Sequence, residues 1–360
     1  SIRMEWYTPE LVAAREAGAE VTSEMELFFR LCPCKIVAVT GSDGKTTTTT
    51  LIAKILEAAG YTVHLGGNLG RALLPVVDAI EATDVAVVEL SSFQLISMRQ
   101  SPEVAVVTNV TPNHLDHHKD MQEYIDAKRN ILLYQAPGSR AVLGYANDIT
   151  RAMAKDVKGS YLWFTRFSET DNGGFLRADG MLCVAKDGVV TPIVHKSEVA
   201  LRGEHNLENL LAAFCAVWGM VDVAVMAQVA RSFQGVEHRI EPVRTLNGVQ
   251  WFNDSIATSP TRVIAGLRQR LCDDAHRQCR GRAQARQLCA ACARAVGACE
   301  NAGADFKPRR KGGRRRAGRK RLPDFGRADR GRRACRAGLC RKRHEHSACR
   351  KHAAGRAPCL

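Results

Sequence analysis

Ile36-Val-Ala-Val-Thr-Gly41-Ser-Asp-Gly44-Lys45-Thr46-Thr47 sets the architecture of this chain. An apolar, β-branched run enters a glycine turn, and Lys-Thr then opens a helical pattern over Lys45–Ala59. Such a strand–turn–helix unit offers backbone N–H groups and a helix N-terminus to phosphate oxygens. Lys45 can reach the β- and γ-phosphates of a nucleotide, and the Thr46 hydroxyl can ligate Mg²⁺. Gly41, Ser42, Asp43, Gly44, Lys45, Thr46 and Thr47 are therefore the candidate nucleotide-binding residues. Val39 stands where the general phosphate loop carries its first glycine. The bland alternative is a glycine-rich turn capped by threonine.

Working outward, Ile36–Thr40, Thr62–Leu65, Val85–Leu90 and Val104–Asn109 read as strands between helical patterns. Apolar runs of this length, bounded by Gly or Asp, suit buried parallel strands, and their alternation with helices implies βαβ units. The fold class is α/β, with a P-loop central domain built on a parallel sheet. Residues 1–32 read as a helix (Pro9–Ala17), a short strand (Glu20–Thr22) and a helix (Glu24–Arg30), too few to close a domain. Asn206–Gly219 is an apolar helix. A second α/β unit opens near Gln234, with a turn at Leu246–Gly248, a strand at Val249–Asn253 and a helix from Pro260 to about Leu267.

Charge divides the chain. Of the 360 residues, those from Arg268 onward hold 28 basic and 7 acidic side chains, a net +21, so residues 1–267 carry −6 of the total +15. Nine of the 13 cysteines lie in the same tail; Cys32, Cys34, Cys183 and Cys215 precede it and read as buried or idle thiols. The tail has no Ile, Tyr, Trp, Thr or Met and only Val296 as valine, too little apolar surface to offset its ordering entropy. GC-rich codons read out of frame give that composition, so a frameshifted tail is expected. A genuine basic arm that binds nucleic acid is the alternative. No apolar run approaches a membrane span, and no secretory signal is visible. The expectation is a cytoplasmic monomer acting on small molecules.

Further polar clusters follow the strands. Val85-Ala-Val-Val-Glu89-Leu-Ser91-Ser92-Phe93-Gln94-Leu95 places a carboxylate at a strand end, where α/β sheets bind ligands. Glu89 is thus a candidate Mg²⁺ ligand, or else a carboxylate capping the next turn. Thr108-Asn-Val-Thr-Pro-Asn-His114-Leu-Asp116-His117-His118 follows another strand. Its His and Asp residues could form a zinc site, although His117 and His118 read as solvated loop residues. Lys128 lies on a helix and, by itself, reads as a surface lysine. Gly66-Gly67-Asn68-Leu69-Gly70 makes a plain turn. Gly203-Glu-His205-Asn206-Leu-Glu-Asn209 opens the apolar helix, with His205 or Asn206 available as caps.

Together these motifs resemble the Mur ligase family. The shortened Thr-Gly-x-x-Gly-Lys-Thr loop is shared with the folylpolyglutamate synthases, and the resemblance covers residues 9–267. It implies ATP-driven carboxylate–amine ligation through an acyl phosphate in peptidoglycan precursor synthesis. Glu89-Leu-Ser-Ser-Phe-Gln-Leu resembles the branch that adds D-glutamate to UDP-muramoyl-alanine; a sister or folylpolyglutamate-type ligase is the alternative. Carried over residue by residue, the resemblance implies two Mg²⁺ ions held by Thr46, Glu89, His114 and a carbamylated Lys128. Lys45, Lys128 and His114 become catalytic. Asn68, Ser91 and Thr258 face substrate, and Asn209, Arg239 and Asp254 reach ATP. Ile256 departs from the lysine of several relatives. The implied domains are a remnant of an N-terminal UDP-binding, Rossmann-like domain (1–32), an ATP-binding centre (33–232), the start of a C-terminal Rossmann-like ligase domain (233–267) and the tail (268–360). On this reading the chain is a fragment, inactive if its tail is frameshifted.

Overall fold

A computed structural model describes residues 8–70, 72–112, 118–236, 241–246 and 249–253. Eleven strands lie among them: β1 Lys35–Thr40, β2 Val63–Gly67, β3 Val85–Glu89, β4 Val104–Val107, β5 Arg140–Gly144, β6 Ser160–Thr165, β7 Gly173–Leu176, β8 Met181–Lys186, β9 Val189–His195, β10 Glu241–Leu246 and β11 Val249–Asn253. The helices are α1 Pro9–Glu16, α2 Glu24–Leu31, α3 Lys45–Ala58, α4 Ser92–Leu95, α5 Met121–Leu133, α6 Asp148–Ala152, α7 Glu204–Val217 and α8 Val223–Ser232.

The first nine strands make one sheet in the order β2-β3-β1-β4-β5-β6-β7-β8-β9. Pairing is parallel from β2 through β7 and antiparallel from β7 to β9. The expected parallel sheet is present, but it continues into a meander that the sequence reading did not foresee. The meander strands alternate weakly and lack the uninterrupted apolar runs of β1, β3 and β4. In β9, Val189 and Val190 are exposed while Ile193 and Val194 are buried.

Alternation along β1 builds two cores. Val37 and Val39 pack with α3, α7 and α8 on one face, and Ile36 and Ala38 pack with Met25, Phe28, Tyr124 and Ile131 on the other. Helix α7 is buried almost all round, from Leu210 through Val217. An apolar helix of that kind must lie between layers, and it contacts β5, β6, β7, β8 and α3. Each buried Leu, Val or Phe there stabilises the fold by about 1.5–3 kcal/mol relative to leaving it exposed.

One expectation at the N-terminal end changes. Residues 20–22 form no strand, and among the described residues no strand pairs with them. Helix α2 follows an N-cap, Ser23, whose side chain accepts from the Glu26 N–H. Near the other end, β10 and β11 pair antiparallel with Leu246 opposite Val249, the expected hairpin. The helix expected over Pro260–Leu267, and the tail, lie outside the described residues.

Candidate functional site

Strand β1 lies between β3 and β4. The chain leaves β1 toward β2 on one side and leaves its neighbour β4 toward β5 on the other, the switch point at which α/β sheets open a crevice at their carboxyl ends. The turns after β1, β2, β3 and β4 converge there, so residues far apart in sequence meet.

The loop after β1 needs both its glycines. Gly41 has φ +147°, and a Cβ there would stand 1.8 Å from Thr108 Oγ1. Gly44 has φ +81°, and its Cβ would stand 2.4 Å from Asn209 Oδ1. The second approach joins the loop to α7, since Asn209 Oδ1 also accepts from Thr48 Oγ1 at 3.2 Å and Asn206 holds the Asn209 amide at 2.9 Å. Asn206 therefore anchors Asn209. It does not cap α7, whose N-cap is Gly203 with no side-chain bond; the Asn206 amide instead donates to the Arg202 carbonyl.

Ser42 is buried and stitches the loop to the turn after β4 and to α5. Its Oγ donates to the Thr111 carbonyl and accepts from the Thr111 N–H, each at 2.9 Å, and the Tyr124 hydroxyl lies 2.9 Å away. Asp43 is exposed; its N–H donates to Asn109 Oδ1, and its carbonyl accepts from Thr108 Oγ1 at 2.6 Å. Thr47 is buried in the first turn of α3. Threonines are poor helix formers, but Thr49 and Thr50 bond back to the Lys45 and Thr46 carbonyls, and tertiary packing overrides propensity.

Glu89, at the end of β3, is 2 % exposed. Its two oxygens accept from Thr46 Oγ1 and Asn68 Nδ2, both at 2.7 Å. Asn68 is thus more than a turn residue, and Gly67 lets β2 approach closely, since a Cβ there would lie 2.4 Å from the Glu89 carbonyl. A buried carboxylate beside a phosphate-loop threonine is a hard oxygen donor set suited to Mg²⁺. That chemistry, beside a glycine turn that opens the N-terminus of α3, fits a magnesium nucleotide.

Lys128, which alone would pass for a surface lysine, is 1 % exposed on the inner face of α5. Its Nζ donates to the Gly41 carbonyl at 2.9 Å and lies 4.5 Å from the centre of the Tyr124 ring. Burial, and then the nearby Lys45 charge, push its pKa well below that of an ordinary lysine, against the pull of Glu89 and Asp43. Lys45 Nζ donates to the Gly41 and Ser42 carbonyls.

Ser91 caps α4 in a reciprocal arrangement with Gln94. Next to it, His118 overturns the expectation of a solvated residue. It is buried, with Nε2 2.9 Å from Ser92 Oγ and Nδ1 3.3 Å from Glu123 Oε2, and it stacks on Phe93. Sequence reasoning missed this link and the Ser42–Tyr124 contact. One signal was present: Tyr124 precedes Lys128 by one helical turn and so shares its face. His114, Asp116, His117, Arg239, Asp254 and Thr258 lie outside the described residues.

Known proteins resemble the chain in the same region. Residues 39–217 match the Mur ligase middle domain. The chain is 55% identical over 265 residues to the UDP-N-acetylmuramoylalanine–D-glutamate ligase of Acetivibrio thermocellus, covering 73% of this chain and 56% of that protein. It is 52% identical over 261 residues to the ligase of the same name from Clostridium kluyveri, at 72% and 56% coverage. The chain therefore spans about half the length of these relatives. A solved UDP-N-acetylmuramoylalanyl-D-glutamyl-2,6-diaminopimelate–D-alanyl-D-alanyl ligase from Acinetobacter baumannii shares the fold, with a TM-score of 0.53, 19% identity and coverage of 67% of this chain and 56% of that one. Residues 39–217 are a Mur ligase middle domain, and through it the chain belongs to the Mur ligase family.

Proposed function

We propose that this chain is the ATP-handling part of a ligase that joins D-glutamate to UDP-N-acetylmuramoyl-L-alanine. The observation that carries the reading is the meeting of the Lys45 phosphate loop with Glu89, Thr46 and Asn68 at one sheet edge. The choice of D-glutamate rests on the 55% identity to a ligase of that name. In the reaction, the lactyl-alanine carboxylate attacks the γ-phosphorus of ATP and ADP leaves. The amine of D-glutamate then displaces phosphate from the acyl phosphate.

Lys45 neutralises the γ-phosphate, and the α3 N-terminus and loop amides orient the phosphate chain. Gly41 and Gly44 let the loop pack closely against Thr108 and Asn209, and Asn209 sets the nucleotide side of the loop. Glu89 and Thr46, with His114 and Lys128, would hold magnesium, which would neutralise phosphate charge when bound. The neutral amine favoured at Lys128 can add carbon dioxide and release a proton. The resulting carbamate would supply an anionic group for a second metal. Ser91 and Asn68 lie on the acceptor side of the crevice, and Arg239, Asp254 and Thr258 complete the nucleotide and amino-acid sites. Positioning and charge stabilisation supply most of the catalysis. We assign residues 1–32 to the end of the UDP-binding domain, 33–232 to the ATP-binding domain and 233–267 to the start of the ligase domain.

Calorimetric titration of the chain with ATP, with and without Mg²⁺, tests the reading. Magnesium-dependent binding that Lys45→Ala removes supports it, and a flat titration rejects it. Mass analysis after incubation with UDP-N-acetylmuramoyl-L-alanine, D-glutamate and ATP tests ligation itself.

A further inference from the structure

Cys32-Pro33-Cys34 joins α2 to β1, away from the crevice. The two sulfurs lie 3.5 Å apart, and both cysteines are free thiols. Their unequal surroundings distinguish them. Cys32 is half-buried and reachable from solvent, whereas Cys34 is 5 % exposed. Both flanks are anchored. The Cys32 N–H donates to the carbonyl of buried Phe28, and the Ile36 N–H donates to the Glu103 carboxylate at 2.8 Å. Only Pro33, with its fixed φ, separates the thiols, so little conformational freedom remains to be lost when they join.

We propose that Cys32 and Cys34 form a thiol–disulfide exchange site for low-molecular-weight disulfides, with Cys32 the attacking and Cys34 the resolving sulfur. The Cys34 thiol bonds to the Cys32 sulfur and lowers the Cys32 pKa to about 7, despite partial burial and the nearby Glu103 charge. The Cys34 pKa is raised, by that bond and then by burial. A thiol with a pKa near ambient pH is well placed to attack a disulfide. In the first step the Cys32 thiolate attacks one sulfur of the small disulfide. A mixed disulfide forms and one small thiolate leaves. Cys34 then gives up its proton to that thiolate and attacks the Cys32 sulfur. The Cys32–Cys34 bond forms and the second small thiolate leaves, to be protonated by solvent. The pair loses two electrons, and the small disulfide gains them as two thiols.

Trypsin gives a direct readout, because cleavage after Arg30 and Lys35 releases Leu31–Lys35, which holds these two cysteines and no other. The full chain is treated with enough oxidised glutathione to modify cysteines beyond residue 268, then digested and weighed. The expected wild-type peptide is lighter by two hydrogen atoms. Cys34→Ser is expected to trap glutathione on Cys32. In the single variants, Cys32 should react at least about tenfold faster than Cys34. A wild-type peptide that stays a dithiol while the tail cysteines are modified would overturn the proposal. So would Cys32 joined to any other cysteine, or equal reactivity of the two single variants.

Discussion

Lys45 and Lys128 donate to the same oxygen, the Gly41 carbonyl, each from 2.9 Å. One lysine comes from the helix that follows the loop and the other from α5, so two cationic side chains converge on one peptide group. Like charges this close disfavour each other, and Lys128, the buried member, is the one driven toward its neutral form.

Stability should therefore depend on pH through Lys128. Its folded pKa is depressed, so the unfolded chain binds more protons below the unfolded value of about 10.4. Its contribution is complete above that value and is lost as pH falls toward the depressed folded pKa. In carbon-dioxide-free buffer, Lys128→Met should raise the urea midpoint at pH 7, and the gain should vanish above about pH 10.4. Equal gains at both pH values would contradict the burial argument.

Carbamylation has its own test. Addition of ¹³C-labelled bicarbonate to the chain should give a carbamate carbon resonance that Lys128→Met removes. Persistence of the signal in the variant would place it on another amine.

Glu89→Gln removes a buried charge that Thr46 and Asn68 both contact. It should weaken magnesium-dependent ATP binding by at least tenfold, about 1.4 kcal/mol. Binding without magnesium should change little. Calorimetry under the two conditions separates a metal effect from damage to the loop.

Gly44→Ala meets two costs, a left-handed φ of +81° and a Cβ 2.4 Å from Asn209 Oδ1. The expected loss of unfolding free energy in denaturant titrations is about 1–3 kcal/mol. Combining it with Asn209→Ala should recover part of the loss, because the clash disappears while the strain stays. Strict additivity would show that the contact does not matter.

His118→Ala should cost about 1–3 kcal/mol, because Ser92 loses its buried partner and the Phe93 and Tyr124 rings lose their packing. The same denaturant titration measures it, and a change within about 0.5 kcal/mol would mark the histidine as peripheral.

The local chemistry of this chain was legible in its order of residues. Short-range rules place a phosphate loop between β1 and α3 and a carboxylate at the end of β3, because apolar β-branched runs, glycine turns and helix starts act over a few residues. They also bound β11 to within a residue. The antiparallel extension of the sheet was not legible, since β7 to β9 are held by pairing with each other. Nor were the burial of Lys128 and His118, which depends on α5 folding back under the loop. Whether Asn68, Thr46 and Glu89 meet, and whether two lysines share one carbonyl, was decided by the tertiary structure alone. The parallel sheet brings the ends of β1 to β4 to one edge, and contact between residues 21 to 161 positions apart follows from that closure, not from any neighbouring residue.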